Sequence, residues 1–500
     1  MVPRRSDWQG FLLSVALGLL AALVIGVLLL IGKSKLLIVA LGPALFLAAG
    51  WLSGNPRLLC LWGLMLTMPL HLSKLFTEFS DRGGGENALR LEISDVFIAA
   101  LAGWLLWDLI KRRRRTLHLP LDVMLPWMLI TLWGVGVIVL GTWRRLAAYE
   151  IIRMAKAMVL FAVLVNELTT RGRILQAALA LTASVTLQSA IGVLQLVKGS
   201  PLGLEKLGET SARTTEVLAV MSIEGGSVWR VGALLLHPNI FGVFLAAVLP
   251  LAVGLFLYGT GGRHRAAALA AAALGSVALV GTYSRSAWVS AAAAFTILGF
   301  VLILHRRLRG SAFVMGGLAG LLLAVVLGVF SGRIITRLFN SQESAETGRK
   351  EWRIEAGRLI REKPLLGWGL NTYASVVPEY SRWSRRAFEG WTPPVHNVYL
   401  LWCAETGIVG LALYLFVWAR LVWIGVKNLR IRDPGLYVIS AACMCGLLAF
   451  TVDGLFSFSL RINPIMRVFW VLGAMIVAIH HCAATSDPTE AAPVPAGADD

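Results

Sequence analysis

Apolar windows recur along the chain at the length needed to cross hydrocarbon, about twenty residues each. They fall near 11–31, 35–53, 57–72, 94–110, 122–142, 147–167, 174–197, 239–258, 266–283, 286–304, 312–330, 397–422, 436–455 and 464–482. The third is short enough to be re-entrant, so the pattern predicts an all-α polytopic membrane protein with about 12–14 transmembrane helices. Arg4 and Arg5 precede the first window as they would in a signal peptide. That window is long enough to span, and it reads as an uncleaved first helix.

The polar stretches between the windows orient the chain. Every second short loop is basic: Lys111 to Arg115, Arg171 with Arg173, Arg263 with Arg265, Arg306 with Arg307 and Arg309, and Lys427 with Arg430 and Arg432. The positive-inside bias puts these loops and both termini in the cytoplasm. Three long excursions, about 73–93, 198–238 and 331–396, then lie outside. The expected organisation is seven spans or so over 1–200, an outer loop over 201–238 and further spans over 239–330. A large outer loop at 331–396 follows, then spans over 397–482 and a disordered cytoplasmic tail over 483–500, rich in Ala, Pro and Asp. In the large loop Thr347 is placed to cap a helix that runs to Lys363 and stops at Pro364.

Composition narrows the class. Hydrophobic residues are 57% of the chain and charged residues 15%, far from soluble usage, so the lipid bilayer is the first partner. A formal charge of +18 invites a nucleic-acid reading, but the bases sit mainly between apolar spans, and no nucleic acid is expected. The five cysteines lie in or beside hydrophobic runs and read as packing residues. No phosphate-binding or dinucleotide glycine fingerprint, Asp-x-Asp pair or metal-spaced His, Cys and carboxylate cluster occurs, so neither cofactor nor metal is expected.

Arginines and histidines remain as candidates for chemistry. His396 opens a span after Pro393 and Pro394 and precedes Asn397 and Tyr399. An imidazole there suits proton transfer from a sugar hydroxyl at neutral pH, or simply caps the helix start. Arg285 sits in a very short outer link, where a guanidinium either grips phosphate or snorkels to the interface. Arg349 stands early in the predicted loop helix, where a cation opposes the macrodipole unless an anion binds; Arg353 shares its face. His237 and Asn239, with Arg230 before them, read as a helix start that also has the chance of lining a site. Glu150, Arg153 and Lys156 share one face of a span, more simply an ion-pair ladder than a proton path. Glu405 lies nine residues past His396, about 13 Å along a helix, too far for contact unless the helix breaks.

Several short motifs occur in a telling order: His237-Pro238-Asn239-Ile240-Phe241-Gly242, Ser284-Arg285-Ser286, Gly348-Arg349 with Trp352, and Pro364-Leu365-Leu366-Gly367-Trp368-Gly369. His396-Asn397-Val398-Tyr399-Leu400 and Glu405-Thr406-Gly407-Ile408-Val409-Gly410 complete the set. Over roughly 235–415 the chain resembles the bacterial O-antigen ligase and polymerase superfamily. The resemblance implies a type-C-like, metal-independent membrane glycosyltransferase of the bacterial inner (cytoplasmic) membrane, with its site facing the periplasm or exterior. Its donor would be an undecaprenyl diphosphate-linked glycan and its acceptor a hydroxyl on a lipid, glycan or protein. Carried onto this chain, Arg285 and Arg349 would hold the diphosphate and His396 would orient or deprotonate the acceptor hydroxyl. Arg353, Asn397, Tyr399, His237, Asn239 and Arg230 are the substrate-binding candidates around them. Ligase and polymerase stay equally open. The alternative, a transporter or flippase of lipid-linked glycans, would call for internal repeats and ionisable residues in several spans.

Overall fold

The computed structural model describes residues 54–486 apart from 71–72, 79–87, 115, 141–142, 211–219, 224–225, 259–260, 306–307, 311–312, 314–315, 318–342 and 381–393. The spans expected at 11–31, 35–53 and 312–330 and nearly all of the tail lie outside the described residues. The protein is an all-α polytopic membrane protein, and among the described residues eight helices are long and apolar enough to cross a membrane.

The first described helix, α1 (Pro56–Thr67), is capped by the Asn55 side chain and has Pro56 at its first turn. At 12 residues it is about 18 Å long, too short to cross alone. A hairpin of β1 (Ser73–Glu78) and β2 (Ala88–Glu92) precedes α2 (Ile93–Ile110), α3 (Leu121–Leu140), α4 (Arg144–Glu167) and α5 (Arg171–Lys198). A second antiparallel hairpin, β3 (Val220–Ile223) with β4 (Gly226–Trp229), lies in the next excursion. Both hairpins are departures from a purely helical expectation, and both fall between spans rather than in them. Three long helices follow, α6 (Pro238–Tyr258), α7 (Gly262–Gly281) and α8 (Arg285–Leu304). The large polar loop contributes α9 (Glu343–Glu362) and α10 (Tyr373–Tyr380), and α11 (Val398–Asn428), α12 (Pro434–Gly454) and α13 (Asn463–Ser486) end the described chain. Buried Leu, Ile, Val, Ala and Phe side chains of α6, α12 and α13 form the middle of the bundle.

Polar contacts sort the helix ends into two poles. At one, Arg57 pairs with Asp108 and Glu167, Arg173 with Glu167, and Arg171 with Asp433. At the other, Arg467 pairs with Glu92 and Asp95, while Asn463 donates to Glu92. Arg171 and Arg173, from one of the basic short loops, lie at the first pole.

The loop helix differs from its expectation at the start. Thr347 does not cap it; α9 begins at Glu343, and Thr347 lies within it. Ala345 and Glu346 are good helix formers, so the capping signal loses to propensity. It ends at Glu362, one residue short of the expected Lys363 and ahead of Pro364.

The turn after Pro364 docks into a break in α11. Gly407 adopts φ 66°, ψ −173° and interrupts the helix. The groups set free are met by the loop: Ile408 N–H donates to Pro364 O at 2.9 Å, Trp368 N–H to Ala404 O at 3.0 Å, and Gly369 N–H to Glu405 O at 2.8 Å. The backbones approach so closely that a Cβ on Gly407 would lie 2.1 Å from Leu365 O, and one on Gly367 2.4 Å from Glu405 O. Gly407→Ala therefore meets both a left-handed φ and a clash, and is expected to cost on the order of 2–4 kcal/mol. Thermal unfolding of purified protein in detergent would read it, and an unchanged midpoint would remove this turn as a structural tie.

Candidate active site

The pole opposite the basic loops gathers the sequence motifs. Just before α6 the backbone passes through Ala233 at φ 47° and Leu236 at φ 63°, a strained approach of the kind found where side chains must be aimed. Arg230 is buried and ties this approach to the link between α7 and α8. Its Nε donates to Thr282 O at 3.0 Å, and a terminal nitrogen donates to Asn239 Oδ1 at 2.5 Å. Asn239 N–H in turn donates to His237 Nδ1 at 3.0 Å. His237 must then carry its proton on Nε2. Burial, then the charges of Arg230 and His396, push its pKa down to about 3.

In the link itself Tyr283 is fully buried with φ 49°, and Arg285, half-buried, is the first residue of α8. Ser284 and Ser286 flank it, with their hydroxyls 3.3 Å apart. Ser286 also meets the buried Asp453 at the end of α12, and Asp453 accepts from Ser459. These contacts bring the starts of α6 and α8 against the end of α12.

His396 completes the group. Its ring stacks on Trp352 of α9, with centroids 4.7 Å apart and planes 14° apart, and meets Phe458 edge-on at 5.2 Å. Its Nδ1 lies 3.2 Å from Pro394 O, which can only accept, so Nδ1 donates and Nε2 keeps its lone pair. Burial and then the Arg349 guanidinium lower its pKa to about 4, with the Pro394 carbonyl opposing them. At neutral pH this is an uncharged imidazole presenting an acceptor nitrogen beside a cation.

The other expected residues take varied places. Arg349 stands nearly two turns inside α9 rather than at its start, so the expected company of free helix N–H groups is absent there. Arg353 is exposed and its Nε donates back to Arg349 O at 3.3 Å. Asn397 caps α11 by accepting from Leu400 N–H and donates its amide to Leu455 O at 3.1 Å. Tyr399 donates its hydroxyl to Thr451 O at 2.8 Å. Trp352 and Phe458, which hold the His396 ring, were not picked out as site residues from the sequence. Trp352's spacing one turn after Arg349 was the available signal.

Beneath the site lies a dry ionic network. Arg153 pairs with Glu150 inside α4, and Arg461 reaches Glu405 at 2.9 Å and Glu150 at 3.4 Å. Arg153 also donates to Arg461 O at 2.8 Å. None of these four residues is more than 5% exposed. The ladder reading of Glu150 and Arg153 therefore holds, and Lys156 extends it by pairing with Asp95 at 2.5 Å. Glu405 stays out of reach of His396; it serves Arg461 and accepts from Tyr373 N–H at 3.3 Å. All five cysteines are buried free thiols, and among the described residues no cluster of His, Cys, Asp and Glu is arranged to hold a metal.

Residues 270–415 match the family described as O-Antigen ligase. The match takes in Arg285, Arg349, Trp352, His396, Glu405 and Gly407, together with the turn that docks at Gly407. His237, Arg230, Asp453 and Arg461 reach the matched stretch from outside it. No curated protein matches the chain.

Two outcomes follow from this geometry. Arg461→Met strands Glu405 and leaves Glu150 with one partner, and is expected to cost about 3–5 kcal/mol in thermal unfolding. The histidines set a pH dependence. His396 protonates near 6.5 when unfolded and near 4 when folded, so the unfolded state binds more protons between those values. Stability is full above about pH 6.5 and falls as the pH drops toward 4. His396→Gln should flatten that slope in unfolding measured across this window.

Proposed function

We propose that this protein transfers glycan from a polyprenyl diphosphate carrier, undecaprenyl diphosphate in a bacterium, to an acceptor hydroxyl at the outer face of the inner membrane. The match of residues 270–415 to the O-antigen ligase family supports glycosyl transfer as the reaction class. The observation that carries the reading is His396, neutral, stacked on Trp352, with its Nε2 lone pair available and Arg349 close enough to depress its pKa.

In this reading the acceptor hydroxyl hydrogen-bonds to His396 Nε2. As the acceptor oxygen bonds to the anomeric carbon of the donor sugar, its proton passes to Nε2 and the bond from that carbon to the diphosphate oxygen breaks. The leaving diphosphate gathers negative charge, and Arg349 and Arg285 stabilise it, more strongly in a dry site than in water. An imidazole with a pKa near 4 is by itself a weak base. Binding of a diphosphate against Arg349 offsets the guanidinium's charge and lifts the proton affinity of His396 when it is needed. The donor thus prepares the base.

His237, with its proton on Nε2, is suited to donate to a sugar or phosphate oxygen, and Arg230 and Asn239 hold it in place. Arg353, on the exposed side of α9, is suited to an outer part of the glycan. Asn397 and Tyr399 serve the same site by fixing the start of α11. Repeated transfer onto a growing lipid-linked chain would make the protein a polymerase. A single transfer to a lipid or protein would make it a ligase.

Reconstitution with undecaprenyl diphosphate-linked repeat units and EDTA tests this. Transfer is expected to persist in EDTA. Arg285→Ala and Arg349→Ala should each lower the rate about 10²–10³-fold, and His396→Ala about 10²–10⁴-fold. Folded variants that keep full activity would refute the assignment. A wild-type protein that only moves the lipid-linked glycan across the bilayer would make it a flippase.

A further inference from the structure

The lipid-facing surface of α11 has a definite upper edge. From Val398 to Gly407 the helix is largely buried in protein, with Val398 and every residue from Leu401 to Gly407 covered. Below the break its outward side chains are mainly apolar and exposed, Ile408, Val409, Leu415, Phe416, Trp423 and Val426, with the partly exposed Arg420 neutralised by its pairing with Asp122. From Ile408 to Val426 the helix rises about 27 Å, close to the thickness of a hydrocarbon core. Lys427 follows at the lower end, its ammonium 5.9 Å from the centre of the Trp423 ring, as befits an interface.

The docked turn sits at that upper edge. Ile408 N–H to Pro364 O and Val409 N–H to Leu365 O, 2.9 and 3.5 Å, lock it to the height of the topmost lipid-facing residues. At its tip Leu365 is 63% exposed and Leu366 48%. Two leucines held out by a rigid turn cost free energy in water and gain it in hydrocarbon. Lys363 lies just before the turn, and one and two helical turns above the leucines α9 exposes Arg361 and Arg358, with the acidic Glu362 also exposed at its end. Lys363 lies over the Trp368 ring at 3.9 Å from its centre, and Arg361 Nε donates back to Gly357 O. An apolar tip at the hydrocarbon edge with a basic collar about 6–10 Å above it matches the order of acyl chain and phosphate in a leaflet.

We propose that the Pro364–Gly369 turn is a membrane anchor. Leu365 and Leu366 enter the edge of the hydrocarbon, and Arg358, Arg361 and Lys363 meet the phosphates of the surrounding lipids. The large polar loop is then partly seated in the bilayer, and α9, which carries Arg349 and Trp352, is held at a set height above it. The partner is the lipid surface itself, and anionic headgroups strengthen the contact.

Depth-dependent quenching tests this without an activity assay. Leu366→Cys and Glu362→Cys, at exposed positions, would be labelled with bimane in the full chain, whose own cysteines are buried. Each is placed in vesicles of phosphatidylcholine with phosphatidylglycerol. Lipids brominated near the glycerol end of their chains should quench at 366, headgroup nitroxide lipids should quench at 362, and aqueous iodide should quench 366 poorly. Iodide quenching at 366 as strong as that of free dye would overturn the anchor. Replacing Arg358, Arg361 and Lys363 together with Gln should abolish the gain in headgroup quenching at 362 that phosphatidylglycerol brings. A retained gain, in protein with an unchanged size-exclusion profile, would overturn the phosphate contact.

Discussion

A helix inside a bilayer has no water to satisfy its backbone, so a break in it must be met by protein. The break at Gly407 is met by the Pro364–Gly369 turn, whose carbonyls and N–H groups exchange hydrogen bonds with residues 404–409. This single exchange ties the polar loop to the membrane helices. It sets where α9 begins its rise and so where Arg349 and Trp352 stand relative to the mouth of α11. Glycine at 367 and 407 is demanded by the closeness of the two backbones.

The ionic network beneath the site works on the same elements from the inside. Arg461 binds Glu405 of α11 and Glu150 of α4, and Glu405 also receives the N–H of Tyr373 at the start of α10. The short turn that carries Arg461 also carries Phe458 and Ser459, and these touch His396 and Asp453. Buried charges of this kind add little net stability over a well-packed apolar core, but they fix geometry because any other arrangement leaves a charge unpaired. Here they fix the turn against which His396 is packed.

Around the two histidines the nearest charges are cationic. Arg349 and Arg230 lie near two histidines, and both imidazoles are held neutral by burial and by those cations. A site so arranged favours an anion, and an anion restores the basicity of the imidazole it sits beside. The match of residues 270–415 to the O-antigen ligase family takes in Arg349 and His396, while the partners from α6, α12 and the Arg461 turn lie beyond the match.

By itself the sequence determined the helical, membrane-spanning class, the gathering of basic loop residues such as Arg171 and Arg173 at one pole, and the end of the loop helix to within a residue. These depend on local quantities: twenty-residue apolar windows, basic short loops, and a proline that cannot continue a helix. It also singled out Arg285, Arg349 and His396, because their short motifs are contiguous. The start of α9 was misread because a capping threonine and good helix formers made opposite local claims, and propensity prevailed. Only the tertiary structure decided which charge Arg461 meets, that Glu405 is structural, that Trp352 and Phe458 hold the His396 ring, and which tautomer that ring adopts. Each of these is a contact between residues far apart in the chain, and no local pattern encodes which of several buried charges or rings will be brought within a few ångströms of each other.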